Sequence, residues 1–279
     1  MHAASLTSED PEFDVHSMHA YFLRPGDTNR HIVYNVKRTR DGRSFASRSV
    51  EASQKGRVIF KASVSFHRRE ATSVEHQTSI PDVPGPDELE PFDYERLVKS
   101  LLSKAEDREA AREAALRALD RPFPIGDASS SIKTRLACIA DMLTLSFPKQ
   151  DIRWVGKNPA NLEKRPARQL AWIKTSRPLP NNNHLHRAAA AFYSDYFLLA
   201  TALLPHGIGF PSSRIDTLAS LDHSMWFHDV PFRADEWSLL ELESPRASGA
   251  RALSFGRLYT RDGIQAVSCA QEGLIRLKS

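Results

Sequence analysis

The sequence predicts an α+β fold in which antiparallel sheets wrap around a central helix, built on a duplicated β unit. Three observations predict it. His16-Ser17-Met18 returns as His223-Ser224-Met225, 207 positions on, and without gaps Gly42 then falls on Gly249, Ser47 on Ser254 and Gly56 on Gly263. Each copy is a series of strand-like segments broken by turn residues. Ahead of the second copy lies one stretch, 184–204, that is Ala- and Leu-rich nearly all round, as a helix becomes when a sheet curls over it.

Within the first copy, residues 14–68 read as an antiparallel meander. His16 to Leu23 is aromatic-rich, and 32–36 is largely β-branched. Arg40-Asp41-Gly42-Arg43 is a turn, because Asp-Gly favours the positive φ of a hairpin. A third run covers 44–52, and Gln54-Lys55-Gly56 turns into Val58-Ile59-Phe60. Prolines 81, 84, 86 and 91 then break a polar stretch that cannot hold a regular element, which reads as a linker. A charged run from Tyr94 to about Leu119 carries Leu97, Leu101, Ala105 and Ala111 as an apolar stripe, the pattern of a solvent-facing connector helix. The expected organisation is therefore 1–68, 69–129 (linker and connector helix) and 130–279. In the last part 152–155 and 169–173 read as strands, Asn181-Asn182-Asn183 caps a helix starting close to His184, and that helix stops before Pro205 and Gly207. The second meander follows, with Thr260-Arg261-Asp262-Gly263 as another Asp-Gly turn.

Composition narrows the class. With 41% apolar and 26% charged residues the chain reads as soluble and globular, and its apolar runs fall far short of the roughly twenty residues a membrane span needs. Only Cys138 and Cys269 are present, too few for a disulfide framework, so a reducing compartment is expected. Met1-His2-Ala3-Ala4 shows neither the basic nor the apolar part of a secretory signal. Net charge is +4, with basic clusters at Arg38, Arg40, Arg43 and Arg48 and at Lys157, Lys164, Arg165 and Arg168. These are either solvated surface or a site for a polyanion such as the phosphates of a nucleotide-like carrier; no nucleic-acid-binding motif runs through them.

Two polar residues stand out against apolar surroundings. Asp195 lies inside the long helical stretch, and its neighbours at helical spacing are Ala188, Ala191, Phe192, Leu198, Leu199 and Ala202. A carboxylate there is a buried structural hydrogen-bonding group, or sits on a helix face that is wet after all, or is a general base or water-orienting group with a perturbed pKa. Gln271 shares a strand face with Gln265, Val267 and Cys269, and its gapless counterpart in the first copy is Val64. An amide in that place can donate to a substrate carbonyl and accept from water. Ser220-Leu221-Asp222-His223-Ser224 contains the residue types of a nucleophilic triad, but strand neighbours point to opposite faces, so these cannot converge. Ser220, Asp222 and Ser224 are expected on one face, with Ser220 free to bond a water. His184, His186, His206, His223 and His228 lack a zinc spacing and read as structural.

These strings resemble a known family, the type II acyl-CoA thioesterases of bacteria and peroxisomes, built as a double hotdog. The resemblance is carried by 16–27 (His-Ser-Met-His-Ala-Tyr-Phe-Leu-Arg-Pro-Gly-Asp), by 40–45, by 221–228 (Leu-Asp-His-Ser-Met-Trp-Phe-His), and by Tyr259 to Gly263 with Ala270-Gln271-Glu272-Gly273. It covers nearly the whole chain and is weakest over 69–130. It implies hydrolysis of a fatty acyl-CoA to free acid and CoA, with Asp195, Ser220 and Gln271 as the catalytic trio around a water, and with no metal or redox cofactor. Acyl-CoA is then the substrate partner, with no nucleic acid and no membrane span, and with a homo-oligomer left open. Backbone N–H groups would hold the oxyanion and surface bases the CoA phosphates.

The internal repeat places the counterpart of position 195 before Met1, so the first hotdog is expected to lack its N-terminal strand and helix and to leave its concave face bare. That expectation supports a second reading, a truncated hotdog that binds acyl-CoA or a partner chain without hydrolysis. A dehydratase on the same fold fits less well, because the helix offers Asp195 and not a histidine beside it. The last residues, Arg276-Leu277-Lys278-Ser279, are not the peroxisomal Ser-Lys-Leu signal, and both peroxisome and cytoplasm are compatible with the sequence.

Overall fold

Strict alternation of buried and open residues marks the strands. In Phe45–Gln54 (β3), Ala46, Arg48, Val50, Ala52 and Gln54 all turn inward, the period-two signature of a sheet with one covered face. The computed structural model describes residues 1–92 and 150–278 apart from 9, 11, 28, 72, 211 and 213. The expected connector helix over 94–119 and the start of the last part near Ser130 lie outside the described residues.

The first copy forms Phe13–Phe22 (β1), Val33–Asp41 (β2), β3 and Arg57–Arg68 (β4), preceded by a one-turn helix, His2–Ser5 (α1). The remainder forms Gln150–Val155 (β5), Arg168–Thr175 (β6), the helix Asn183–Tyr193 (α2), a 3-10 helix Leu199–His206, and then Ile215–Ser220 (β7), Asp222–Phe227 (β8), Ser238–Ser248 (β9), Arg251–Thr260 (β10) and Gln265–Leu277 (β11). All the strands join one antiparallel sheet in the order β2-β3-β4-β1-β8-β11-β10-β9-β6-β5, with β7 also on β11. The two copies meet where β1 pairs with β8. There Met18 lies opposite Met225, its own counterpart in the repeat, between Ser17↔Trp226 and His19↔Ser224.

The register corrects the gapless comparison of the copies. Met18 pairs with Val64 on β4, whereas Met225 pairs with Cys269 on β11. Counted from the methionines, the residue in the place of Gln271 is Phe66, two along the same face from Val64. Both are apolar and buried, at 1% and 0% exposure, so the contrast between the copies stands with a different partner. The two Asp-Gly turns also part company. Gly263 has the expected positive φ, 91°. Gly42 does not; a side chain there would come within 2.9 Å of the Phe45 carbonyl oxygen, so close approach and not handedness requires the glycine.

The concave face of the first sheet is not bare. Val50, Val64 and Phe66 are buried in one apolar cluster with Ala4 of α1 and Ala189, Ala190 and Tyr193 of α2. Helix α2 leans on both copies. Its buried stripe is His186, Ala189, Ala190 and Tyr193, while Arg187 donates to the Val15 carbonyl of β1 and pairs with Asp14 at 3.3 Å.

The proline-rich segment after β4 holds a single 3-10 turn, Pro86–Glu88, and straps the outer face of the second sheet. Ile80, Val83 and Leu89 pack on Trp172, Leu239 and Tyr259. The Trp172 indole N–H donates to the Pro84 carbonyl at 2.9 Å, and Gln77 bonds both Gly263 and Gln265 of the β10–β11 turn.

Candidate active site

Helix α2 begins as its sequence implies: the Asn182 side chain accepts from the backbone N–H of His184 at 2.9 Å and of Leu185 at 3.3 Å. It does not run on to Leu204. It ends at Tyr193, and a turn separates it from the 3-10 helix. Phe197 in that turn adopts φ +59°, a left-handed conformation that costs a non-glycine residue about 1–3 kcal/mol. No proline or glycine breaks the chain here; tertiary contacts do. The Phe197 carbonyl accepts from the Gln169 amide of β6 at 3.3 Å and from the Thr201 hydroxyl at 3.0 Å. The Tyr196 hydroxyl donates to Gln150 at 2.9 Å.

Asp195 therefore sits in a pinned turn, not on a helix face, and it is exposed, not buried. Among the described residues its carboxylate has no hydrogen-bond or ion-pair partner. Its charge is nonetheless felt inside. The Cys269 thiol is pushed up to about 12 by burial and then by Asp195, and the Tyr196 hydroxyl, also to about 12, by the same two causes in the same order. Cys269 precedes Gln271 by two on the inward face of β11.

Ser220 and Gln271 are joined by a β-bulge. Gly273 of β11 faces Ser220, and Ala270 faces Ser224. Three steps on β11 thus oppose four on its partner, so one extra residue is inserted between β7 and β8. The ladder bond lost there is replaced by the Asp222 carboxylate, which accepts from the Glu272 backbone N–H at 2.8 Å. The insertion breaks the alternation that would put Ser220, Asp222 and Ser224 on one face. Ser220 and His223 instead turn to the same amide: Gln271 Nε2 donates to Ser220 Oγ at 2.9 Å, and Gln271 Oε1 lies 2.5 Å from His223 Nδ1. His223 Nε2 continues to Ser194 Oγ at 3.0 Å, and Ser194 is the neighbour of Asp195.

The result is a continuous polar chain, Ser220–Gln271–His223–Ser194, threaded through apolar core with Gln271, His223 and Ser194 at 1%, 5% and 4% exposure. Ser220 and Gln271 are the members the sequence singles out; His223, which reads from the sequence as structural, and Ser194 join them only through the fold. One further hydroxyl, Ser254 Oγ, is fully buried directly across from Gln271 on β10 and has no hydrogen-bond partner among the described residues.

The basic clusters are partly spent within the fold. Arg48 is buried and bonded to Asp41 and Thr7. Arg168 pairs with Glu241 at 2.6 Å and Lys157 with Glu163. His186 Nδ1 accepts from the Ala234 backbone N–H at 3.1 Å, and burial lowers its pKa.

Two family profiles match the chain: one described as acyl-CoA thioesterase, over residues 149–274, and one described as acyl-CoA thioesterase N-terminal domain, over 1–67. Acyl-coenzyme A thioesterase 8 of Rattus norvegicus is 39% identical over 278 residues, covering 99% of this chain and 77% of the relative. The chain belongs to the acyl-CoA thioesterase family. Acyl-CoA thioesterase II of Mycobacterium marinum superposes with a TM-score of 0.70 at 32% identity, over 99% of this thioesterase-family chain and 85% of that one. A hot dog fold protein from Alicyclobacillus acidocaldarius, 14% identical, superposes with a TM-score of 0.66 over 100% of this chain and 85% of that one, and shows the fold alone. The sheet joined at β1 and β8 is a double hotdog.

Proposed function

We propose that this chain hydrolyses fatty acyl-CoA thioesters by direct attack of water. Asp195 takes one proton of the water while Ser220 and Gln271 hold its oxygen in line with the thioester carbon. The C–O bond forms as the C–S bond breaks. The proton leaves with the CoA sulfur, giving free acid and thiol. The observation that carries this reading is the Gln271–Ser220 bond beside a pinned turn that presents an unpartnered carboxylate. A general base must meet solvent to receive its water, so the exposure of Asp195 supports the role better than the buried carboxylate expected from the sequence.

The test is thiol release from the purified chain with medium- and long-chain acyl-CoA, alongside Asp195→Asn and Gln271→Leu. Loss of turnover in both variants with native melting supports the assignment; equal rates in all three reject it. Binding of acyl-CoA without thiol release from the unaltered chain would favour the non-hydrolytic reading. Of the two compartments compatible with the sequence, the family relationship leaves peroxisome and cytoplasm both open to fractionation.

A further inference from the structure

We infer that His223 is a positioning residue for this hydrolysis: it fixes which way round the Gln271 amide sits, and through it whether the Ser220 hydroxyl proton is free for the water. The inference rests on the reading of Gln271 and Ser220 given above. An amide has nearly the same shape either way round, so its partners decide its orientation. Among the described residues Gln271 has two, Ser220 Oγ at 2.9 Å and His223 Nδ1 at 2.5 Å, and at 1% exposure these, not bulk solvent, set its orientation.

The imidazole tautomer then sets the whole chain. With the proton on Nδ1, His223 donates to the amide oxygen, Ser194 donates to Nε2, and Gln271 Nε2 donates to Ser220 Oγ. Ser220 keeps its own O–H, and Gln271 keeps its second N–H. With the proton on Nε2, His223 donates to Ser194 Oγ and Ser194 turns its proton to the Ala191 carbonyl, 3.0 Å away. Nδ1 must now accept, so the amide turns over and its oxygen takes up the Ser220 proton. One histidine proton thus decides whether the water meets a donor or a hydroxyl already committed.

The other copy serves as an internal comparison. His16 occupies the same place in the same His-Ser-Met string, but the bulge in β1 falls between Val15 and Ser17, and the ring turns outward. It bonds Ser65 Oγ at 2.8 Å and packs edge-on against Phe45. The inward residues there are Val64 and Phe66, which offer nothing to orient. The histidine turns inward in the copy that carries the glutamine.

Two amides that differ by one methylene separate positioning from packing. His223→Asn keeps a donor at the place of Nδ1, while His223→Gln moves it to the place of Nε2. For the purified chain with a medium-chain acyl-CoA, we expect His223→Gln to lose about 10²-fold in kcat, the scale of misaligned reacting groups, with KM within about twofold. His223→Asn should recover at least about tenfold of that loss. In a Gln271→Leu background His223→Gln should cost nothing further, because residues acting as a unit are not additive. Equal kcat in the Asn and Gln variants, or an undiminished effect of His223→Gln in the Gln271→Leu background, overturns the inference. Should either variant fail to reach native melting, Ser194→Ala replaces it, with an expected drop in kcat of about threefold or more at unchanged KM; no change overturns the inference. Full activity in Gln271→Leu alone would instead defeat the underlying reading of the site.

Discussion

Gly273→Ala tests how closely the 3-10 helix is seated on the sheet. Gly273 lies opposite Ser220, two residues past Gln271. A Cβ there would come 2.2, 2.7 and 3.0 Å from Cδ2, Cδ1 and Cγ of Leu199, the first residue of the 3-10 helix. Carbon contacts settle at about 3.5–4.0 Å, so the whole side chain, and not merely its tip, must retreat by more than 1 Å or so. Leu199 is 5% exposed, so it cannot simply swing out into solvent. Overpacking of this kind costs about 1–3 kcal/mol, while the glycine-to-alanine change returns about 0.4–1 kcal/mol through the unfolded chain, leaving about 1–2 kcal/mol of destabilisation. Urea unfolding reads this as a lower midpoint at constant slope. Because the helix begins four residues after Asp195, turnover should fall as well. Truncating the clashing partner, in Gly273→Ala with Leu199→Ala, should give a loss smaller than the sum of the two single losses by about 1 kcal/mol. Unchanged or raised stability in the single variant, or strict additivity in the double, would refute the packing argument.

Ser254→Ala removes a fully buried hydroxyl that has no partner among the described residues; it should leave stability unchanged or raise it by up to about 1 kcal/mol, and a loss of more than that in urea melts would show that the hydroxyl is satisfied in solution. The pKa values of His16, His186 and His228 are all lowered, by burial first. The unfolded chain therefore binds more protons, and stability should be full above about pH 6.5 and fall as the pH drops below it. His186→Asn, which keeps an acceptor at the place of Nδ1 for the Ala234 N–H, should flatten that slope, and an unchanged slope would remove His186 from the account. Trp172→Phe deletes the bond to the Pro84 carbonyl and should cost about 1 kcal/mol while speeding limited proteolysis within 77–89; equal cleavage rates would show that the apolar contacts hold the strap alone.

The fold was legible because its determinants are local and repeated. The Asp262-Gly263 turn and the Asn182 cap each state their structure within a few residues, and the returning His-Ser-Met string announces that one unit occurs twice. The identities of Gln271 and Ser220 were legible too, the first because an amide interrupts an apolar face and the second through the resemblance. Legibility failed wherever a distant residue decides a local conformation. No proline or glycine between His184 and Leu204 breaks a helix; the distant Gln169 amide of β6 bonds the Phe197 carbonyl and the Thr201 hydroxyl, and Asp195 stands in an open turn beside them. The bulge between β7 and β8 is likewise invisible in sequence, since it is a mismatch with another strand. Applying strict alternation across it hid His223. The two-residue difference in register between the copies is of the same kind, a property of pairing and not of either strand alone.

The pairing of Met18 with Met225 has a consequence for how such a protein can change. In an assembly of two identical chains, every substitution at one hotdog appears in the other as well. Here the halves share a single backbone, so each drifts independently while remaining locked to its twin. One half keeps a glutamine bonded to an inward histidine, while the other fills the corresponding position with phenylalanine and packs its histidine against Phe45. A single backbone lets corresponding positions in the two halves carry different side chains without either half leaving the other.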